Sequence, residues 1–262
     1  MSRLELKGKR VLITGSSSGI GAAMALEMAS RGANLVLIAR NLQKLEQVCS
    51  DCRQKGVDVE IYGVDMSNEQ SIRSFVQGLD NAIFDIIVLN AGISQRALCM
   101  DTDLSVDRSI METNFFGPVT LVKLLSSSII GRRVNIAVTS SISGLFGFPL
   151  RSAYCASKHA LFGFFESLEL ENPLCRVSFI IPGRICTEIS RSAVLSDGSS
   201  YGKMDPGQAK GMAVDACARI AVGAIVRGKH RKLVGGVELL MVYIKKWCPC
   251  LFFKIANKVS SV

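Results

Sequence analysis

A chain of 262 residues with 48% hydrophobic and 20% charged side chains is long enough for one large α/β domain and too apolar to stay disordered. A formal charge of +9 admits an anionic partner, but the basic residues form no long block and no nucleic-acid motif accompanies them, so nucleic acid is not an expected partner. Nine cysteines scattered through apolar segments read as free thiols in a reducing compartment, and no uninterrupted apolar run approaches the ~20 residues of a membrane-spanning helix. The pair Cys49 and Cys52 has ligand spacing but falls in a helical stretch without a second Cys/His pair, so no metal is expected. The charged N-terminus runs straight into a strand, and the expectation is that no signal peptide precedes the fold.

Arg10 to Gly15 reads as a short buried strand, followed by Thr14-Gly-Ser-Ser-Ser-Gly-Ile-Gly21 and a helical pattern reaching Arg31-Gly32. Strand, glycine turn and helix form the context of a dinucleotide loop. Gly15, Ser17, Ser18, Gly19, Ile20 and Gly21 would bring backbone close to a pyrophosphate at the helix N-terminus. A second strand, Asn34 to Ala39, ends at Arg40 where an NAD site tends to carry an acid; a guanidinium there suits a ribose 2′-phosphate, which favours NADP(H) over NAD(H). A helix from Leu42 to Lys55 leads to a third strand, Val59 to Val64, which stops at Asp65-Met66, placed for an adenine edge. After a helix over Glu69 to Leu79, the apolar strand Phe84 to Leu89 opens into Asn90-Ala91-Gly92, whose small residues permit close packing beside a cofactor.

One long helix is predicted from Ser105 to Leu125, with Asn114 a polar residue among Met111, Phe115, Phe116 and Val119. It is either a helix-surface amide or a buried one whose partners include a water near Lys158. Val134 to Val138 is a strand ending in a Ser/Gly-rich turn with Ser141, and beyond Pro149 helical spacing puts Tyr154 and Lys158 four residues apart on one face. An ammonium one turn from a phenol favours the phenolate and lowers the phenol pKa, as proton transfer requires. The helix runs to Glu171, and a sixth strand, Arg176 to Ile181, ends at Pro182-Gly183 ahead of Ile185 and Thr187. Glu188 to Pro206, rich in Ser, Gly and Asp, has the composition of a mobile lid, and with Phe146 and Phe148 it is expected to flank the site, which favours an apolar substrate. A helix to Arg227 and a strand, Lys232 to Val234, complete a doubly wound α/β fold: one parallel sheet of about seven strands with helices on both faces.

Thr14-Gly-x-x-x-Gly-x-Gly21, Asn90-Ala-Gly92, Asn114, Ser141, Tyr154-x-x-x-Lys158 and Pro182-Gly183 together resemble the short-chain dehydrogenase/reductase family, over nearly the whole chain up to Gly236. The resemblance implies a Rossmann-type fold that binds NAD(P), with Tyr154 as acid/base, Lys158 lowering its pKa and holding the nicotinamide ribose, Ser141 orienting the substrate oxygen and Asn114 holding a relay water. It implies that Thr187 touches the nicotinamide carboxamide, that Arg40 occupies the NADP-type position, and that the protein is a homodimer or homotetramer. Met100 to Arg108, Arg151 to Leu161, Tyr201 to Met204 and the Leu251-Phe-Phe tail are similar to the subgroup of members 7 and 7B, which implies an apolar or lipid-like carbonyl or alcohol substrate. The expected activity is NADP(H)-dependent carbonyl–alcohol interconversion, the other reading being a catalytically silent NADP(H)-binding sensor or scaffold.

The domain is expected over residues 1–236. Residues 237–262 alternate apolar blocks with lysines, and either cover the substrate cleft or a second subunit, or lie on an anionic membrane surface. The expected location is cytoplasmic, peripheral on the cytosolic face of an organelle membrane if the tail binds lipid.

Overall fold

Short apolar strands that alternate with helical segments have to run parallel, because each crossover returns the chain to the same edge. The computed structural model, which describes residues 4–80 and 82–259, is built this way. In chain order the elements begin β1 (Arg10–Thr14), α1 (Gly19–Ala29), β2 (Asn34–Ala39), α2 (Leu42–Arg53), β3 (Val59–Gly63), α3 (Glu69–Gln77) and β4 (Ile86–Leu89). They continue with α4 (Leu104–Met111), α5 (Gly117–Leu124), the short α6 (Ser126–Ile129), β5 (Val134–Thr139), α7 (Ser152–Glu171) and β6 (Cys175–Pro182). Last come α8 (Pro206–Ala209), α9 (Val214–Val226), β7 (Arg231–Val234), α10 (Leu240–Trp247) and α11 (Pro249–Val259).

The seven strands form one parallel sheet in the order β3-β2-β1-β4-β5-β6-β7. Side chains alternate across it: Val11 and Ile13 face a core layer with Met24, Leu45 and Val222 of α1, α2 and α9. Leu12 faces the opposite layer with Phe75, Leu121 and Phe165 of α3, α5 and α7. The strand order reverses between β1 and β4, and there Thr14 Oγ1 accepts the backbone N–H groups of both Asn90 and Ala91 at 2.9 Å. This opens a crevice at the carboxyl ends of the strands, where a doubly wound sheet takes its ligands.

Two helices differ from the sequence pattern. The stretch predicted as one helix from Ser105 to Leu125 contains a π-helical turn, Glu112–Phe116, between α4 and α5. The helix predicted from Pro206 or Gly207 to Arg227 breaks after Ala209, since Gly211 packs against the carbonyl of Arg184 and Met212 bridges to Ile185. The segment after Thr187 is tied down rather than open: Val194 exchanges backbone hydrogen bonds with Ser94 and Arg96 at 2.9 and 2.8 Å.

Gly117, first residue of α5, lies against the carbonyl of Met66, and an added methyl group would collide with that oxygen. Gly117→Ala is expected to destabilise the protein by about 2 kcal/mol or more in urea unfolding, as overpacking does. Gly163→Ala, in α7 with nothing within reach of a new Cβ, should instead raise stability by about 0.5–1 kcal/mol.

Candidate active site

The crevice is a cavity of about 370 Å³ whose walls come from the loops after β1, β2, β3, β4, β5 and β6 and from the inner edge of α7. Of the residues expected there, Gly15, Ser17, Ser18, Gly19 and Ile20 form one wall at the start of α1, while Arg40, Asp65 and Met66 lie along its far end. Asn90, Ala91 and Gly92 line the middle, and Ser141, Tyr154, Lys158, Pro182, Gly183, Ile185 and Thr187 line the other end. Gly21 and Asn114 lie behind the wall. Gly15 adopts φ +64°, and a Cβ there would come within 2.7 Å of Ala91 Cα, so a glycine is needed where β1 and β4 diverge. Asn90 Nδ2 donates to the carbonyls of Thr14 and Gly15, both at 3.2 Å, and locks the turn.

Asn114 is fully buried, as one of the two sequence readings has it, and its amide has protein partners. Oδ1 accepts Ile93 N–H at 2.8 Å, and Nδ2 donates to the Ile93 carbonyl at 2.9 Å and to Ser157 Oγ at 3.0 Å. The widened π turn presents it to that strand end, so Asn114 joins three elements beside Lys158.

Tyr154 and Lys158 both project from α7 into the cavity, and both are buried. Lys158 Nζ donates to the Thr139 carbonyl at 2.9 Å, at the end of β5, and burial pushes its ammonium down to about 8. The ammonium nitrogen stands 5.8 Å from the centre of the Tyr154 ring. The phenol does not follow the sequence argument. Burial raises the Tyr154 pKa, against the lowering influences of the Arg151 guanidinium and a hydrogen bond with Ser141. Desolvation of the phenolate outweighs the neighbouring charge because the ring is shut away from water.

Sequence reasoning also missed what holds Tyr154. Gln95, fully buried, accepts the N–H groups of Ala153 and Tyr154 at 2.9 and 3.4 Å and so caps α7. Arg151 donates to Ser94 Oγ at 3.1 Å, and its guanidinium lies 6.0 Å from the Tyr154 ring centre. Asp205, just before α8, receives Arg96 at 2.7 Å and stands 3.8 Å from Arg151. At the far end Lys44 joins Arg40 on the cavity wall, one helical turn into α2; its spacing from Arg40 was the available signal. Phe146 and Phe148, expected beside the substrate, do not line the cavity: Phe146 turns away and meets Phe252 of α11 at 4.9 Å between ring centres. Ile93, Ile185 and Ile189 supply apolar lining instead. Cys49 and Cys52 are buried thiols, that of Cys52 pushed up to about 12 by burial.

A doubly wound sheet with a glycine turn at the switch point and a Tyr/Lys pair at the end of β5 defines a class, and the family model for short chain dehydrogenase matches residues 9–197. The chain belongs to the short-chain dehydrogenase/reductase family. Within it, the chain is 39% identical to a dehydrogenase/reductase SDR family protein 7-like of Drosophila melanogaster, over 98% of this chain and 82% of that protein. It is 38% identical to dehydrogenase/reductase SDR family member 7B of Xenopus laevis, over 96% of this chain and 82% of that one. Among solved structures, an alcohol dehydrogenase from Thermococcus sibiricus complexed with 5-hydroxy-NADP matches with a TM-score of 0.76 and 25% identity, covering 88% of this chain and 97% of its own.

Since Arg151 is the charge that opposes desolvation of the phenolate, Arg151→Met is expected to raise the Tyr154 pKa further. Asp205→Asn, which removes the carboxylate facing Arg151, should lower it. The phenolate absorption band, titrated by difference against Tyr154→Phe, reads both shifts without turnover.

Proposed function

We propose that the protein is an NADP(H)-dependent oxidoreductase that interconverts a carbonyl and an alcohol on an apolar or lipid-like substrate. The observation that carries this reading is the burial of Tyr154, Ser141 and Lys158 together at one end of a cavity whose other end is the glycine turn and Arg40. A nicotinamide dinucleotide fits the polar chemistry of the walls. Among the described residues, Thr139 Oγ1 and Gln208 Oε1 are buried without a hydrogen-bond partner, and both residues line this cavity. When bound, the cofactor supplies hydride chemistry.

The residues of the chain do the rest. The start of α1, with Ser17, Ser18, Gly19 and Ile20, offers backbone N–H groups and a helix dipole to a pyrophosphate. Asp65 and Met66 would border the adenine, and Pro182, Gly183, Ile185 and Thr187 would border the nicotinamide half. The Lys158 ammonium would hold a ribose hydroxyl, and Asn114 fixes Ile93, in the loop after β4, beside it, where a relay water would sit. Tyr154, neutral because burial raises its pKa, donates a proton to the carbonyl oxygen during reduction and takes it back during oxidation. Ser141 hydrogen-bonds that oxygen and, with Arg151, stabilises the phenolate left behind. The apolar lining from Ile93, Ile185 and Ile189 supports an apolar substrate, and the similarity to member 7 and 7B proteins supports the same choice. We include in the proposal the homodimer or homotetramer that the family resemblance implies.

Assayed by NADPH oxidation over a panel of apolar ketones and aldehydes, the wild type should turn over at least one, and Tyr154→Phe should lose about 10³-fold or more in kcat while still binding NADPH. Binding of NADPH with no turnover in either protein would sink the enzymatic reading and leave a cofactor-binding sensor.

For the cofactor, Arg40 and Lys44 put two cations on the cavity wall just after β2, which supports a ribose 2′-phosphate as the group read there. Arg40→Asp should weaken NADPH binding about 10-fold or more and leave NADH nearly unchanged, as read by isothermal titration. Equal losses for both cofactors would show that Arg40 does not read the phosphate.

A further inference from the structure

Residues 239–262 contain four lysines and no aspartate or glutamate, and within them Leu240–Trp247 and Pro249–Val259 form two short helices with two unlike faces. One face is dry. Phe252 and Ala256 are buried against Phe146, with Met241, Val242 and Ile244 packed around them. The other face has no protein covering it: Leu240, Tyr243, Trp247, Leu251 and Phe253 are 47–73% exposed. The lysines lie among these side chains rather than apart from them. Lys245 stands 4.2 Å over the Phe253 ring, and Lys246 stands 5.1 Å over that of Trp247.

Exposed aromatic and aliphatic side chains interleaved with ammonium groups suit a surface that is apolar at one depth and anionic at the next. A second copy of this face brings only more lysines across a two-fold axis, so its charge does not complement itself. Helices of 8 and 11 residues are too short to cross a bilayer, and no helix among the described residues is long and apolar enough to do so. We propose that α10 and α11 dock flat on an anionic lipid surface, with Trp247 and Phe253 entering the headgroup–acyl boundary and Lys245, Lys246 and Lys254 facing the headgroups.

This docking has a consequence for the cavity. Phe146 belongs to the loop that joins β5 to α7, the loop that also carries Ser141. The helices that touch lipid are therefore packed directly on the connection that shapes the candidate active site, through the Phe146–Phe252 contact. An apolar substrate dissolved in the bilayer would meet the protein on the side of that loop.

The test uses the full chain and its single tryptophan, Trp247, as the reporter. Mixed with phosphatidylcholine vesicles containing about one-third phosphatidylserine, the protein should co-sediment, and Trp247 emission should shift to the blue. Vesicles of phosphatidylcholine alone should bind far less, and high salt should release the protein. The triple variant Lys245→Glu, Lys246→Glu, Lys254→Glu should lose about 100-fold in affinity. Phe253→Ser should abolish the tryptophan shift with its melting temperature unchanged, because the side chain is not part of the dry face. Equal binding to vesicles with and without phosphatidylserine, or no binding to either, would overturn the proposal. So would a dimer in light scattering that shields Trp247 and is broken by Phe253→Ser, which would give this face to a second copy. None of these readings depends on turnover, so the outcome stands apart from that of the carbonyl assay.

Discussion

An ammonium group kept out of water is costly unless the chain supplies oxygen atoms and fixed geometry around it, and the candidate site is arranged about that constraint. Lys158 meets the condition through the Thr139 carbonyl at the end of β5. For the contact to form, α7 must lie at one height against the sheet. Ser157 is held by Asn114, Asn114 by both backbone groups of Ile93, and the N-terminal end of α7 by Gln95. Each bond joins α7 to the strand ends at a different point, so the helix has little freedom to slide or turn. Rigid placement of this kind is what a proton-transfer site needs, since small displacements of a donor cost rate steeply.

Electrostatics in the cavity are divided between its two ends. At the glycine-turn end the positive charges, Arg40 and Lys44, are exposed and face solvent. At the Tyr154 end Lys158 is buried and Arg151 partly so, and Arg151 has a carboxylate opposite it on the segment that leads to α8. Exposed cations attract an anionic ligand over a distance set by salt, while buried ones act only on what touches them. The division matches a ligand with its phosphates at one end and its reacting atoms at the other.

Much of this was legible in the residues because it is local. The glycine turn, the apolar strands and the four-residue spacing of Tyr154 and Lys158 are each read within one or two turns of chain, and the parallel pairing follows from alternation of the elements. What escaped depends on residues far apart in sequence. Arg96 and Asp205 are 109 positions apart and Gln95 and Ala153 are 58 apart, so no periodicity announces either pair. The direction of the Tyr154 shift was not legible for a related reason: spacing places a lysine near the phenol, but only packing shows that the ring is buried and that burial raises its pKa. Phe146 was expected to flank the site, whereas α11, far along the chain, covers it.

The π turn between α4 and α5 has a consequence beyond placing Asn114. It holds one residue more than regular winding requires, and it takes up that residue locally instead of rotating the helix beyond it by about 100°. Chain length and core packing are thus uncoupled at that point. Loss of one residue there would restore regular winding and leave Val106 and Ile110 facing α7 and Leu121 facing the sheet, while the geometry beside Lys158 would change. Length variation in this segment is therefore tolerated by the scaffold and felt by the chemistry.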